Sequence, residues 1–205
     1  MIAIVDYGAG NLRSVQKALE RVGADTEVTD QAAAIQKARK IVLPGVGAMG
    51  AAMDRLKALG IEDVLKRAIQ DGVPFLGICV GFQLLFESSE EGEATRGLGI
   101  LPGRVRRFTS LKVPHMGWNR LQTAAGCPLW EGLPAEPYVY FCHSYYVGSL
   151  RDDLTAARTD YGVRFVSAVQ KGNLFGVQFH PEKSQEVGLK ILENFVRYGE
   201  GLRHK

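Results

Sequence analysis

The stretch that most restricts this chain is Gly77-Ile78-Cys79-Val80-Gly81. It follows an apolar run, Val73-Pro74-Phe75-Leu76, and opens a helical one, Phe82-Gln83-Leu84-Leu85-Phe86. A nucleophile on a sharp strand-to-helix turn needs small residues two places before and two places after it, because larger side chains would strike the neighbouring backbone. Gly77 and Gly81 meet that need around a cysteine. A helix N-terminus also favours a thiolate, lowering the thiol pKa from its reference of about 8.5. The competing reading is a plain buried cysteine, a common fate for a free thiol. Placement between strand and helix favours the nucleophile.

A nucleophilic cysteine needs a base, and the chain has only His115, His143, His180 and His204. His204 lies in a basic tail and reads as solvated. His115 and His143 fall in strand-like runs and read as core or interface residues. His180 sits in Gln178-Phe179-His180-Pro181-Glu182, where Pro181 keeps the preceding backbone extended. In an extended chain residues i and i+2 share a side, so Glu182 can reach back to the imidazole and fix its tautomer. Cys79, His180 and Glu182 are therefore the candidate catalytic residues of a Cys-His-Glu acyl-transfer enzyme. A His-x-Glu zinc site competes, but the sequence supplies no clear third and fourth ligands. Gln83, one helical turn after Cys79, is either a surface glutamine or a substrate-facing amide at the pocket floor.

Pro44-Gly45-Val46-Gly47-Ala48-Met49-Gly50 admits two readings. Gly45, Gly47 and Gly50 match Gly-x-Gly-x-x-Gly after a strand and before a helix, with Asp63 further on, which is a dinucleotide pattern. That fingerprint normally occupies the first strand-helix unit, whereas this one follows the third strand. The first unit has Gly8-Ala9-Gly10 but Arg13 at the next glycine position. The preferred reading is a loop beside the nucleophile that offers backbone N–H groups to an oxyanion.

The first half alternates strand and helix. Strands are expected at Ile2 to Val5, Thr26 to Thr29, Lys40 to Leu43 and Phe75 to Ile78. Between them lie a helix capped by Asn11 and running through Val22, a short helix containing Ile35 to Arg39, and one or two helices from Ala48 to Asp71. Continuous apolar strands alternating with helices predict an α/β fold with a mostly parallel, doubly wound sheet. After Glu93 short runs separated by turn residues predict added antiparallel or mixed strands, at Val105 to Phe108, Val113 to Met116, Tyr138 to Phe141 and Leu174 to Val177. A helix from Glu186 to Tyr198 closes the chain. In such a sheet ligands bind beyond the carboxyl ends of the strands, where Cys79 falls.

With 205 residues, 46% hydrophobic and without a linker or repeat, residues 1–205 read as a single domain. Net charge is +3, and the basic residues are scattered apart from Arg104-Val105-Arg106-Arg107. No aromatic-rich motif accompanies that cluster, so it reads as a solvated strand end or a partner contact rather than a nucleic-acid patch. No apolar run approaches a membrane span. Three cysteines and an N-terminus that reads as a strand predict reduced thiols in the cytoplasm.

These residues resemble the triad-type glutamine amidotransferases, which pair a Gly-x-Cys-x-Gly-x-Gln elbow with a downstream Phe-His-Pro-Glu. Here those are Gly77 to Gln83 and Phe179 to Glu182. One branch fits best, the glutaminase subunits of imidazole glycerol phosphate synthase. Its segments are matched by Asp6-Tyr7-Gly8-Ala9-Gly10-Asn11, Val113-Pro114-His115-Met116-Gly117-Trp118-Asn119, Tyr140-Phe141-Cys142-His143-Ser144-Tyr145-Tyr146 and His180-Pro181-Glu182-Lys183-Ser184. Leu43 to Gly47, Leu84 to Gly92 and Gly97 to Gly99 match as well. Val80 and Phe82 replace the more usual Leu and Met, and Cys142 replaces an aliphatic residue.

The resemblance implies a glutaminase with no metal or organic cofactor. Its partner would be a barrel-shaped (β/α) cyclase subunit that uses the ammonia in histidine biosynthesis, forming a heterodimer. It further implies that Val46, Gly47 and Val80 stabilise the oxyanion and that Gln83, Gly47 and the backbone of Ser144 and Tyr145 hold glutamine. Asn11, Met116, Trp118, Tyr140 and Lys183 would face the partner. A free-standing hydrolase on the same fold is the first rival, and a non-catalytic interaction subunit the second. A complete set of Cys79, His180 and Glu182 argues against the second.

Overall fold

A computed structural model describes residues 1–92 and 95–199. Glu93, where the texture of the sequence changes, and His204 lie outside the described residues. The first half winds as β1 (Ile2–Val5), α1 (Leu12–Arg21), β2 (Thr26–Thr29), α2 (Ala32–Lys37) and β3 (Lys40–Gly45). It continues with α3 (Met49–Ala58), α4 (Glu62–Gln70), β4 (Phe75–Cys79) and α5 (Val80–Gln83). β2, β1, β3 and β4 lie side by side in that order and all pair in parallel. β1, β3 and β4 are buried along their whole length, as strands covered by helices on both faces must be. β2 at the edge is only partly buried.

The second half begins with β5 (Phe86–Ser89), β6 (Thr95–Arg96), β7 (Leu101–Arg107), β8 (His115–Arg120) and β9 (Gln122–Thr123). β10 (Tyr138–His143), β11 (Tyr145–Val147), β12 (Thr155–Tyr161), β13 (Val163–Lys171), β14 (Leu174–Val177) and α6 (Gln185–Arg197) complete it. β14 joins the two textures. It runs parallel to β4 on one side and antiparallel to β13 on the other. Beyond β13 the sheet continues through β11, β7, β5 and β6. β8 and β10 form a separate antiparallel pair whose residues alternate between buried and open, the pattern of a sheet with one free face.

Several local expectations shift. The helix expected over Phe82 to Phe86 stops at Gln83, and Phe86 begins a strand beside Leu101. The carbonyls of Leu84 and Leu85 accept N–H groups from Leu98, Ile100 and Leu101 instead of continuing a helical ladder. A short apolar run is compatible with either state, and this tertiary pairing decides it. α2 starts at Ala32 and ends before Arg39, because Ala38 is already extended and Arg39 N–H bonds the Met1 carbonyl. Asn11 occupies the N-cap of α1 but makes no side-chain cap; only its carbonyl engages, accepting from Ser14 and Val15. Arg104, Arg106 and Arg107 are exposed on β7 while Val105 is buried, and Glu90 sits 3.9 Å from Arg104.

Candidate active site

β4 delivers Cys79 to the carboxyl edge of the sheet, and α5 leaves from the next residue. Cys79 has φ 55° and ψ −106°, a conformation that non-glycine residues seldom adopt. Such a backbone costs on the order of 1–3 kcal/mol and persists only where its surroundings over-determine it. They do so here. A Cβ on Gly77 would lie 2.6 Å from the Gly81 carbonyl oxygen, and one on Gly81 would overlap the Leu43 carbonyl oxygen. The sulfur is 3.9 Å from the side-chain Nε2 of Gln178 and 4.0 Å from the Cys142 carbonyl oxygen.

His180 follows β14 in extended conformation, and its N–H donates to the Tyr140 carbonyl at 2.9 Å. A 3-10 turn over Pro181–Lys183 then swings Glu182 back. His180 Nδ1 and Glu182 Oε1 are 2.8 Å apart, with side chains 5% and 2% exposed. Burial opposes protonation of His180. Hydrogen bonds with Cys79 and Glu182, and the charges of both, outweigh it and raise its pKa to about 10. The other carboxylate oxygen, Glu182 Oε2, is buried with no hydrogen-bond partner among the described residues.

A cleft of about 320 Å³ opens over the sulfur. Cys79 and His180 line it together with Val46, Gly47, Val80, Gln83, Ser144 and Tyr145. Glu182 does not, since it stands behind His180. Gln83 is buried, which rules out the surface-glutamine reading. Its Nε2 donates to the Tyr145 carbonyl at 3.1 Å and to Gln178 Oε1 at 3.0 Å, so both N–H bonds are engaged and Oε1 is left to accept. A wider hollow of about 470 Å³ between Cys127, Asp152 and Lys171 holds no comparable pair, and burial pushes the Cys127 thiol up to about 11.

Glu91, Cys142 and His143 also line the cleft, and no catalytic motif marks them. Glu91 is the most informative, because its Oε2 accepts the Met49 N–H at the start of α3 at 2.6 Å. A dinucleotide pyrophosphate would need that helix N-terminus, and this chain's own carboxylate already occupies it. The glycine run therefore does not carry the dinucleotide geometry. Gln178 bridges Gln83 to the sulfur, a role invisible from its place beside the motif. The Tyr7 hydroxyl fills the space a Gly45 side chain would take and has no hydrogen-bond partner among the described residues. No group of three or more His, Cys, Asp or Glu among the described residues is placed to hold a metal ion.

Four of the five predicted partner-facing residues gather beside the cleft. Trp118 and Tyr140 are cross-strand neighbours on β8 and β10, with rings in edge contact at 6.1 Å. Lys183 Nζ lies 5.9 Å from the Tyr140 ring and also lines the cleft. Met116 is 61% exposed and Trp118 47%, so Trp118 is not a core residue. Asn11 is exposed at the start of α1, and among the described residues no hydrogen bond or ring contact ties it to the other four.

The chain matches the family model described as glutamine amidotransferase class-I over residues 3–198. It is 56% identical over 201 residues to the imidazole glycerol phosphate synthase subunit HisH of Synechocystis sp., covering 96% of this chain and 95% of that one. The HisH subunit of Moorella thermoacetica is 49% identical over 204 residues, with 99% and 96% covered. This chain belongs to the HisH family of class-I glutamine amidotransferases. It is therefore an enzyme, a glutamine amidotransferase. Solved structures share the fold of this amidotransferase at low identity. One described as a glutamine amidotransferase gives a TM-score of 0.76 at 21% identity, covering 95% of this chain and 99% of that one. PurLQS from Thermotoga maritima gives 0.75 at 22%, covering 96% and 97%. Among the described residues no helix is long and apolar enough to cross a membrane.

Proposed function

We propose that this chain, working as one amidotransferase domain in the cytoplasm, hydrolyses L-glutamine through a thioester on Cys79. It passes the ammonia to a cyclase subunit of imidazole glycerol phosphate synthase. The observation that carries the reading is the convergence of Cys79 on its strained turn with the hydrogen-bonded His180–Glu182 pair at one cleft.

The thiolate of Cys79 attacks the side-chain carboxamide carbon of glutamine. Backbone N–H groups of Val80 and of the loop bearing Val46 and Gly47 stabilise the oxyanion. His180, protonated and held by Glu182, gives its proton to the departing nitrogen as the C–N bond breaks. Ammonia leaves and a glutamyl thioester remains. His180 then takes a proton from water, the hydroxyl attacks the thioester, and glutamate departs with the thiolate restored. Gln83 Oε1 and the backbone of Ser144 and Tyr145 hold the substrate. Glu91, an acidic side chain on the cleft wall, suits the substrate's α-ammonium group.

Ammonia set free in water at neutral pH protonates and ceases to be a nucleophile, so delivery requires a partner over the cleft mouth. Met116, Trp118, Tyr140 and Lys183 form the adjoining face that suits such a partner, with aromatic and apolar groups at its centre. The names of the HisH relatives support the cyclase as that partner, and the heterodimer that follows. Rapid acid quench of the chain with glutamine, followed by peptide mass analysis, tests the chemistry. A glutamyl adduct on the Cys79 peptide is expected. Steady hydrolysis with no adduct on Cys79 at any quench time would remove the thioester.

A further inference from the structure

Of two histidines outside the catalytic set, His143 lines the cleft and His115 lies behind it. His115 on β8 and His143 at the end of β10 are cross-strand partners, 3% and 5% exposed. His115 Nδ1 is 2.9 Å from His143 Nε2, and His143 Nδ1 is 2.7 Å from the Tyr145 carbonyl oxygen. At the far end, Asn119 Nδ2 is 3.2 Å from His115 Nε2 and 3.0 Å from the Asp160 carbonyl oxygen.

The partners dictate where the protons are. A carbonyl oxygen only accepts, so His143 Nδ1 carries hydrogen. In the neutral ring Nε2 is then a bare acceptor, and His115 Nδ1 must donate to it. That leaves His115 Nε2 bare, facing an amide N–H of Asn119. Every ring nitrogen in the row is satisfied with both imidazoles neutral. A proton added to either ring would either set two N–H groups against each other at 2.9 Å or leave His115 Nε2 facing Asn119 donor to donor.

The surroundings enforce neutrality. His115 is stacked between Phe141 and Tyr161, with centroids at 4.8 and 4.0 Å, and Phe108 and Phe165 close the edges. Burial lowers the pKa of His115 to about 4. Burial first, then the charges of His115 and His180, outweigh the hydrogen bond to Tyr145 and lower His143 to about 3. The row ends on the same carbonyl oxygen that Gln83 Nε2 holds from the other side. Two donors on one oxygen fix the backbone that borders the cleft.

We propose that His115 and His143 are positioning residues for the glutamine site: a neutral row, anchored at Asn119, that sets the Tyr145 backbone on which the substrate rests. This rests on the assignment of Ser144 and Tyr145 to substrate holding made above. His115→Phe keeps the ring stack and removes the donor, leaving His143 Nε2 without its partner.

Two measurements on the full chain test it. Nitrogen-15 NMR of labelled histidine should show both rings neutral with hydrogen on Nδ1, unchanged from pH 8 down to about 5. Iodoacetamide alkylation of Cys79, which needs no amino-acid site, should run at the same rate in wild type and His115→Phe. The glutamine concentration that halves that alkylation should rise about tenfold in the variant. An Nε2–H tautomer at His143, or a charged ring at pH 7, would overturn the proposal even if His115→Phe did not fold. So would a folded variant protected by glutamine at the wild-type concentration. Failure of glutamine to protect the wild-type thiol would instead remove the glutaminase reading.

Discussion

The catalytic cleft and the face beside it are built on opposite terms. In the cleft most of the polar groups meet a partner from this chain, with Gln83 Oε1, Glu182 Oε2 and the Tyr7 hydroxyl left over among the described residues: Glu182 on His180, Gln178 on Cys79, His143 and Gln83 on Tyr145. On the β8–β10 face, Met116, Trp118 and Tyr138 expose 61%, 47% and 55% of their surface, and the internal contact found there is largely ring against ring. Buried polar groups hold a geometry whether or not another molecule is present. Exposed aromatic groups cost free energy until something covers them. The difference separates chemistry, which this chain supplies alone, from the conditions under which the chemistry is useful.

Removing the nucleophile breaks that division most completely. Cys79→Ala should abolish glutamine hydrolysis while leaving the fold, and synthesis from added ammonia in the complex, intact. Substantial glutaminase in the folded variant, measured by glutamate release, would contradict the assignment of Cys79.

Glu182→Gln comes next. Glu182 acts only through His180, so turnover should fall on the order of 10²–10⁴-fold with residual activity left. The variant also reads the linkage between charge and stability. His180 is raised from 6.5 to about 10, so its contribution is full below pH 6.5 and is lost as pH climbs through 10. The histidine pair has the opposite sign. The unfolded rings gain protons below pH 6.5 that the folded rings refuse until about 4 and 3, so stability falls as pH drops through that range. Thermal melts across pH should show both limbs in the wild type, and only the acid limb in full for Glu182→Gln. An unchanged alkaline limb would contradict the charge assignment.

How far the sequence discloses this depends on separation along the chain. The elbow and the Phe-His-Pro-Glu segment are local, because the Gly77–Gly81 collision and the His180–Glu182 bond act within a few residues. The parallel strands are legible because β1, β3 and β4 are apolar without interruption. The helix expected through Phe86 fails because Leu84 and Leu85 spend their carbonyls on residues more than ten positions away. The His115–His143 contact and the hold of Gln83 on Tyr145 join distant segments, and no periodicity announces them. Glu91 stands close to two other carboxylates, Glu87 and Glu90, and nothing local marks which of them turns into the cleft.

Trp118→Ala sharpens the comparison from the other side. With Trp118 half exposed, stability should change by about 1 kcal/mol or less, while assembly with the cyclase weakens by about 2 kcal/mol, roughly thirtyfold in Kd. Thermal melts of wild type and variant, set beside titration of each against the cyclase, would separate the two effects, and equal losses would make Trp118 a structural residue. The smallest expected effect is none: NAD should leave the melting temperature unchanged, because Glu91 already occupies the N-terminus of α3. A saturable rise would restore the dinucleotide reading.

The most direct test of the central claim compares glutamate release by the isolated chain with release after adding the cyclase subunit and its nucleotide ligand. A triad whose oxyanion loop, with Val46 43% exposed, is fixed only when a partner covers the adjoining face predicts weak hydrolysis alone and a strong rise on assembly. Full activity in the isolated chain, indifferent to the cyclase, would contradict the account and make this a free-standing hydrolase.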